Sequence, residues 1–254
     1  MSSLFWLEDR IALVTGASRG LGFAMAEALA AHGAHVILNG RNPETIAAAT
    51  KKLTDLGYHA EPLAFDVTDA AATLDAIEKI REVHGRLDIL VNNAGIQHRV
   101  PLVDWTDADF ERLLQSHLVA AFRLAREAAK LMIPQGRGRI ISTGSVIAIL
   151  ARPTIHGYAA AKTGLHGLTR SMAAELGPKG ITVNAIAPGY FATEMNTALI
   201  ADQSFSDWVK KRTPLGRWAQ PHEIGGAVVF LASDAASYVN GHVLVVDGGL
   251  SVTL

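Results

Sequence analysis

Tyr158 and Lys162 stand four residues apart in the run Tyr158-Ala159-Ala160-Ala161-Lys162, and Ser145 lies thirteen residues upstream of the tyrosine. On a helix that spacing puts phenol and ammonium on one face, where the positive charge favours the ionised phenol and lowers a pKa that is otherwise about 10. The pair then makes a proton donor usable near neutral pH, and a nearby serine hydroxyl can hold an oxygen that gains charge. Tyrosine and lysine four apart on a helix are also a common surface contact. What distinguishes the two readings here lies at the other end of the chain.

There, Thr15-Gly16-Ala17-Ser18-Arg19-Gly20-Leu21-Gly22 follows the apolar run Ile11-Ala12-Leu13-Val14 and precedes an alanine-rich segment with helical character. A strand, a glycine-rich turn and a helix N-terminus aim backbone N–H groups and a favourable dipole at a pyrophosphate. Gly16, Ser18, Arg19, Gly20, Leu21 and Gly22 are therefore expected to hold a dinucleotide, a tight turn without ligand being the bland reading. About twenty residues on, the second strand ends in Leu38-Asn39-Gly40-Arg41, where an NAD site usually carries an acid for the adenosine ribose. Without a carboxylate there, Arg41 and Arg19 are placed to pair with a 2′-phosphate, which favours NADP(H) over NAD(H). Asp66 and Val67 follow the third strand; Asp66 is read either as a partner of the adenine amino group or as a cap for a helix starting near residue 69.

These residues need a scaffold, and the rest of the chain supplies its pattern. Short aliphatic runs at 11–15, 35–39, 61–65, 87–92, 139–143, 181–186 and 242–246 alternate with helical spacings at 22–32, 45–56, 70–84, 109–133, 157–176 and 223–232. The alternation predicts an α/β fold of βαβ units around a parallel sheet covered on both faces. With 254 residues and 49% hydrophobic side chains, a single domain over 1–254 is expected. Residues 189–214 lack a strand signal and are expected to form a substrate lid.

A net charge of −1 carries no footprint for nucleic acid or an anionic membrane, and the absence of cysteine excludes disulfides and thiolate chemistry. The first ten residues lack a basic start followed by a long apolar stretch, and the expected location is cytoplasmic. None of the ten histidines forms an i, i+4 His-Glu pair or sits in a compact carboxylate cluster, so no metal is expected.

Taken together, Thr15-Gly16-(three residues)-Gly20-Leu21-Gly22, Asn92-Asn93-Ala94-Gly95, Ser145, Tyr158-(three residues)-Lys162 and Pro188-Gly189 resemble the short-chain dehydrogenase/reductase family over nearly the full length. The resemblance implies a Rossmann-type, doubly wound seven-stranded sheet, order 3-2-1-4-5-6-7, in homotetramers or homodimers. It implies Tyr158 as acid and base, Ser145 as the oxyanion's partner and Lys162 as the group that lowers the phenol's pKa and holds the nicotinamide ribose. Asn93 and Gly95 are implied near the adenosine ribose, and Ile186, Pro188, Gly189 and Thr193 around the nicotinamide and its phosphates.

Within the family, Asn93-Ala94-Gly95-Ile96-Gln97-His98-Arg99, the segment from Ala187 to Met195, and Lys211-Arg212-Thr213-Pro214 are similar to a group that acts on sugar acids. They imply interconversion of D-gluconate and 5-dehydro-D-gluconate. Arg152, with Arg99, is expected to meet the carboxylate, and His98, His156 and Tyr190 to complete a polar pocket. A 3-oxoacyl-(acyl carrier protein) reductase is the competing enzyme, and a catalytically silent NADP(H)-binding sensor the non-enzymatic reading. The sensor is motivated by one departure: His117 stands where the family carries an Asn that holds a water beside the catalytic lysine. Either this imidazole titrates near neutrality and sustains the relay, or it is a buried, hydrogen-bonded core residue.

Overall fold

The computed structural model describes residues 3–253; residues 1, 2 and 254, which belong to the expected 1–254 domain and to the N-terminal reading, lie outside the described residues. Seven parallel strands form one sheet in the order β3-β2-β1-β4-β5-β6-β7. They are β1 Ile11–Val14, β2 His35–Gly40, β3 Ala60–Ala64, β4 Ile89–Asn92, β5 Gly138–Thr143, β6 Ile181–Pro188 and β7 Val243–Val246. The order implied by the family resemblance is the order observed, and the order reverses between β1's two neighbours, β2 and β4. That reversal opens a crevice at the carboxyl ends of the strands.

Strand alternation sorts the core into two layers. Ala12, Val14, Val36, Leu38, Ile89 and Val91 face one cluster, which is closed by Met25, Leu29, Ile46, Leu53, Val228 and Leu231. Leu13, Ile37, Leu90, Ile140 and Val183 face the other, against Ile77, Ile80, Leu124, Met132 and Leu176. The first layer is covered by α1 Gly20–Ala31, α2 Pro43–Asp55 and, late in the chain, a helix at 225–232; the second by α3 Ala70–His84 and the two long helices described next. Start signals are local: Asn42 accepts from Thr45 N–H ahead of Pro43, and Asp69 accepts from Ala72 N–H. Asp69, not Asp66, is the cap of α3, so the capping role considered for Asp66 is corrected.

The helix expected over 109–133 is three pieces. α4 Asp107–Leu114 runs into a π-helical turn at Gln115–Val119, then α5 Ala120–Gln135 continues. The wider turn rotates Ser116 and His117 inward, and both are buried. α6 His156–Leu176 carries Tyr158 and Lys162 near its start. Residues 189–214 hold α7 Thr197–Ala201 and α8 Gln203–Arg212, and α9 Gly225–Ala232 completes the first layer. No helix among the described residues is long and apolar enough to cross a membrane.

Candidate active site

A cleft of about 1320 Å³ runs across the carboxyl ends of the strands, from the glycine turn to Ser145 and Tyr158. At one end Gly16 and Gly20 adopt φ of 63° and 59°, a left-handed backbone that side chains resist, and α1 begins at Gly20 with no side-chain cap on its first N–H groups. A Cβ on Gly22 would collide with the Gly16 carbonyl. Asn93 ties this turn to β4: its amide donates to Thr15 O at 3.0 Å and Gly16 O at 3.1 Å, while the Thr15 hydroxyl accepts from Asn93 N–H and Ala94 N–H. Thr193 lies over the turn, its Cβ 3.8 Å from where a Cβ on Gly20 would stand. Pro188 and Gly189 line the same wall.

Arg41 and Asp66 border the cleft beyond β2 and β3. The Asp66 carboxyl sits below its ordinary value: burial works to raise it, and hydrogen bonds from the N–H and hydroxyl of Thr68, with the charge of Arg41, outweigh that. Arg19 does not stand free. Its guanidinium pairs with Glu194 at 2.9 Å, joining the glycine turn to the 189–214 segment across the cleft mouth. The cradle suits a dinucleotide: open backbone N–H groups at a helix start, glycines that admit close approach, and an arginine at the adenosine end.

At the other end Ser145 follows β5, buried, with its Oγ accepting from Ile147 N–H at 3.1 Å. Burial raises the Tyr158 phenol above its ordinary pKa, and its hydrogen bond with Ser145 and the charge of Arg99 pull it back only in part. Lys162 is buried, donates to Thr143 O at 2.6 Å, and lies 5.5 Å from the centre of the Tyr158 ring. Burial takes its ammonium down to about 7. The ammonium points at a carbonyl, and desolvation is the largest influence on both groups.

His117 packs against Tyr158, ring centres 5.2 Å apart and nearly perpendicular. Its Nε2 lies 2.7 Å from Ile96 O and 3.1 Å from Ile96 N, and its ring packs against Gly95. Burial, helped by the charge of Lys162, takes the imidazole down to about 3, against the pull of the Ile96 carbonyl. This burial and the bonds to Ile96 favour the second reading of His117, a buried, hydrogen-bonded core residue. A small cavity of about 10 Å³ adjoins His117, Asn92, Ser116 and Lys162, and His117 Nδ1 and Asn92 Oδ1 are buried without a hydrogen-bond partner.

Two guanidiniums converge over this end. Arg99 and Arg152 line the cleft beside Tyr158 and Tyr190, and neither forms an ion pair with a carboxylate among the described residues. Burial holds Arg99 below the usual arginine range and the like charge of Arg152 adds to this. Arg152 is seated 4.5 Å over the ring of Phe205, and Tyr190 packs between Phe205, Trp208 and Trp218.

A family model described as enoyl-(acyl carrier protein) reductase matches residues 16–251. Among curated proteins, a gluconate 5-dehydrogenase of Gluconobacter oxydans is 48% identical over 99% of this chain and 98% of its own. A 3-oxoacyl-(acyl carrier protein) reductase of Escherichia coli is 42% identical over 96% and 98%. Among solved structures, a gluconate 5-dehydrogenase from Burkholderia cenocepacia in complex with NADP and tartrate superposes with a TM-score of 0.96 at 45% identity, covering 99% of each chain. The chain belongs to the short-chain dehydrogenase/reductase family.

Against that family frame, three expectations for side chains fail. His98 turns away from the cleft, edge-on to Trp105 at 4.8 Å and 3.7 Å from Asp109, and His156 packs on the same indole. Ile186 is 1% exposed and belongs to the core; its carbonyl, accepting from Gly144 N–H, is what it offers. Sequence reasoning also passed over Gln97, which lines the cleft with its Oε1 buried and unpartnered. Its only signal was its place between Gly95 and Arg99.

Proposed function

We propose that this chain is an NADP(H)-dependent reductase and dehydrogenase of a sugar acid, interconverting 5-dehydro-D-gluconate and D-gluconate. The observation that carries this reading is the convergence of Arg99 and Arg152, without carboxylate partners among the described residues, on the cleft end that holds Ser145 and Tyr158. Two forked guanidiniums suit a carboxylate, and Gln97 and Tyr190 suit hydroxyls. The gluconate 5-dehydrogenases at 48% and 45% identity support it. An acyl chain would need an apolar channel where these cations stand.

When bound, NADP(H) exchanges a hydride with the substrate's carbinol or carbonyl carbon. Gly16, Gly20, Gly22 and the start of α1 would hold its pyrophosphate, and Arg41 its 2′-phosphate. Tyr158 gives its phenolic proton to the substrate oxygen in reduction and takes it in oxidation, while Ser145 donates to the oxygen as charge builds. Lys162, beside the Tyr158 ring and titrating at about 7, can supply and take back a proton through the cavity beside His117, which is about one water in size. Residues 189–214 act as the lid: Arg19–Glu194 latches it at the phosphate end and Arg152–Phe205 at the substrate end.

Arg152→Ala and Arg99→Ala should each raise KM for 5-dehydro-D-gluconate by about tenfold or more, as expected for a lost charge-assisted hydrogen bond to a carboxylate. A neutral polyol ketone should lose nothing. Equal losses on charged and neutral substrates in steady-state assays would remove the sugar-acid reading.

Because His117 is held neutral, the reductase pH profile should show no step from it between about pH 5 and 8, where an unperturbed histidine titrates. His117→Asn should keep the shape of the wild-type profile. A histidine-like step lost in that variant would contradict the buried geometry.

A further inference from the structure

Opposite the cleft, at the amino ends of β2 and β3, three side chains from separate elements meet. His35 opens β2, Glu61 is the second residue of β3, and His84 is the last residue of α3. Glu61 Oε1 lies 2.6 Å from His84 Nε2 and 3.8 Å from His35 Nε2, and one ligand atom from each residue falls within 4.8 Å of the others. The imidazole rings are 5.0 Å apart and tilted. Parallel pairing sets the carboxylate beside β2, with Glu61 opposite Ile37, and the helix end delivers the second imidazole.

Two nitrogens and an oxygen form the ligand set that borderline cations such as zinc prefer. Around a tetrahedral ion with bonds near 2 Å, ligand atoms stand about 3.3 Å apart, so the trio needs only adjustments of up to about an ångström in half-buried side-chain ends. His35 Nε2 supplies the independent sign: it is buried, and it has no hydrogen-bond partner. An imidazole nitrogen withdrawn from water beside a carboxylate, with no hydrogen bond of its own, is placed to take a ligand role.

We propose that His35, Glu61 and His84 form a divalent transition-metal site, of which zinc is the representative ion, with a solvent-facing fourth position. The expectation of no metal was drawn from chain spacing, where residues 26 and 23 apart carry no local motif; only the sheet edge brings these three side chains together. The ion would pin the edge strand β3 to β2 and to the end of α3, far from the glycine turn, so its role is to stabilise this edge and not to take part in hydride chemistry.

Untagged wild-type protein, stripped with a chelator, should take up one zinc per chain in isothermal titration. Saturation at about a hundredfold over Kd should raise Tm by roughly 5 °C or more. His84→Ala and Glu61→Gln should each weaken uptake at least tenfold while leaving NADPH binding unchanged. Cobalt added to the wild-type chain should give the visible absorption of a tetrahedral nitrogen–oxygen site, which tests the ligand set without any variant. No uptake by the wild type, uptake unchanged in both variants, or cobalt spectra of an octahedral aqua ion would overturn the proposal.

Discussion

Tyr158→Phe should lower kcat for 5-dehydro-D-gluconate reduction by about a thousandfold, within the range general acid catalysis supplies, with NADPH affinity retained. The hydroxyl is the only atom removed from a ring that stays packed edge-on to His117. Stability should change little, because the ring stays packed and the phenol, raised by burial, is neutral in folded and unfolded chains alike at neutral pH, leaving only its hydrogen bond with Ser145 to lose. The pH dependence has a definite sign. In reduction Tyr158 must start protonated, and a raised phenol keeps its proton through the neutral range; in oxidation it must start ionised, so that direction should gain rate as pH rises. Steady-state assays of wild type in both directions, with fluorescence titration of NADPH into the variant, separate a lost acid from a lost fold. A variant that keeps a tenth or more of its kcat would mean the proton comes from elsewhere.

Lys162→Met should do two opposite things, abolishing turnover and stabilising the unliganded protein. An ammonium that is buried, with no carboxylate among the groups that set its pKa and one carbonyl as partner, is a costly feature of the fold. Its folded value of about 7 lies below the ordinary 10.5. Below pH 7 folded and unfolded chains both hold the proton, and the full cost of burying charge opposes folding. Between 7 and 10.5 the folded chain releases its proton first, the unfolded chain binds more protons, and stability rises with pH. Methionine removes that cost, so the gain should be about 2 kcal/mol, or roughly 4–8 °C in Tm, near pH 6, after allowing for the unpaired Thr143 carbonyl. It should shrink towards about pH 10. Thermal melts of both proteins without cofactor at the two pH values measure it; a variant less stable at pH 6 would show that Lys162 is an asset to the fold. A site that keeps such a residue at a loss does so for function.

The sheet was legible because its strands are short apolar runs between helical spacings, and α3 because its helical spacing spans 70–84, although its cap is Asp69 and not Asp66. Ser145, Tyr158 and Lys162 were legible from their spacing together with the glycine turn and the family resemblance it completes; spacing alone left a surface contact open. Loop direction was not. His98 and Arg99 are adjacent in the chain, yet Trp105 takes the imidazole while the guanidinium faces Tyr158, a choice made by tertiary packing. The π turn at Gln115–Val119 has no propensity signal either; it is the turn that sets His117 against Gly95 and Ile96. Burial then decides the chemistry of that imidazole, and no residue type reveals burial. Arg19 shows the same limit: its charge was readable, its partner Glu194, on a segment 175 residues away, was not.

The most direct measurement is NADPH oxidation by the wild-type chain, followed by absorbance, with 5-dehydro-D-gluconate and a 3-oxoacyl thioester as parallel substrates and NADH as the parallel cofactor. The paired arginines and the empty acid position after β2 lead to fast turnover of the sugar acid with NADPH and at least tenfold lower kcat/KM for the thioester and for NADH. Turnover of the thioester alone, by protein that binds NADPH, would contradict the sugar-acid assignment.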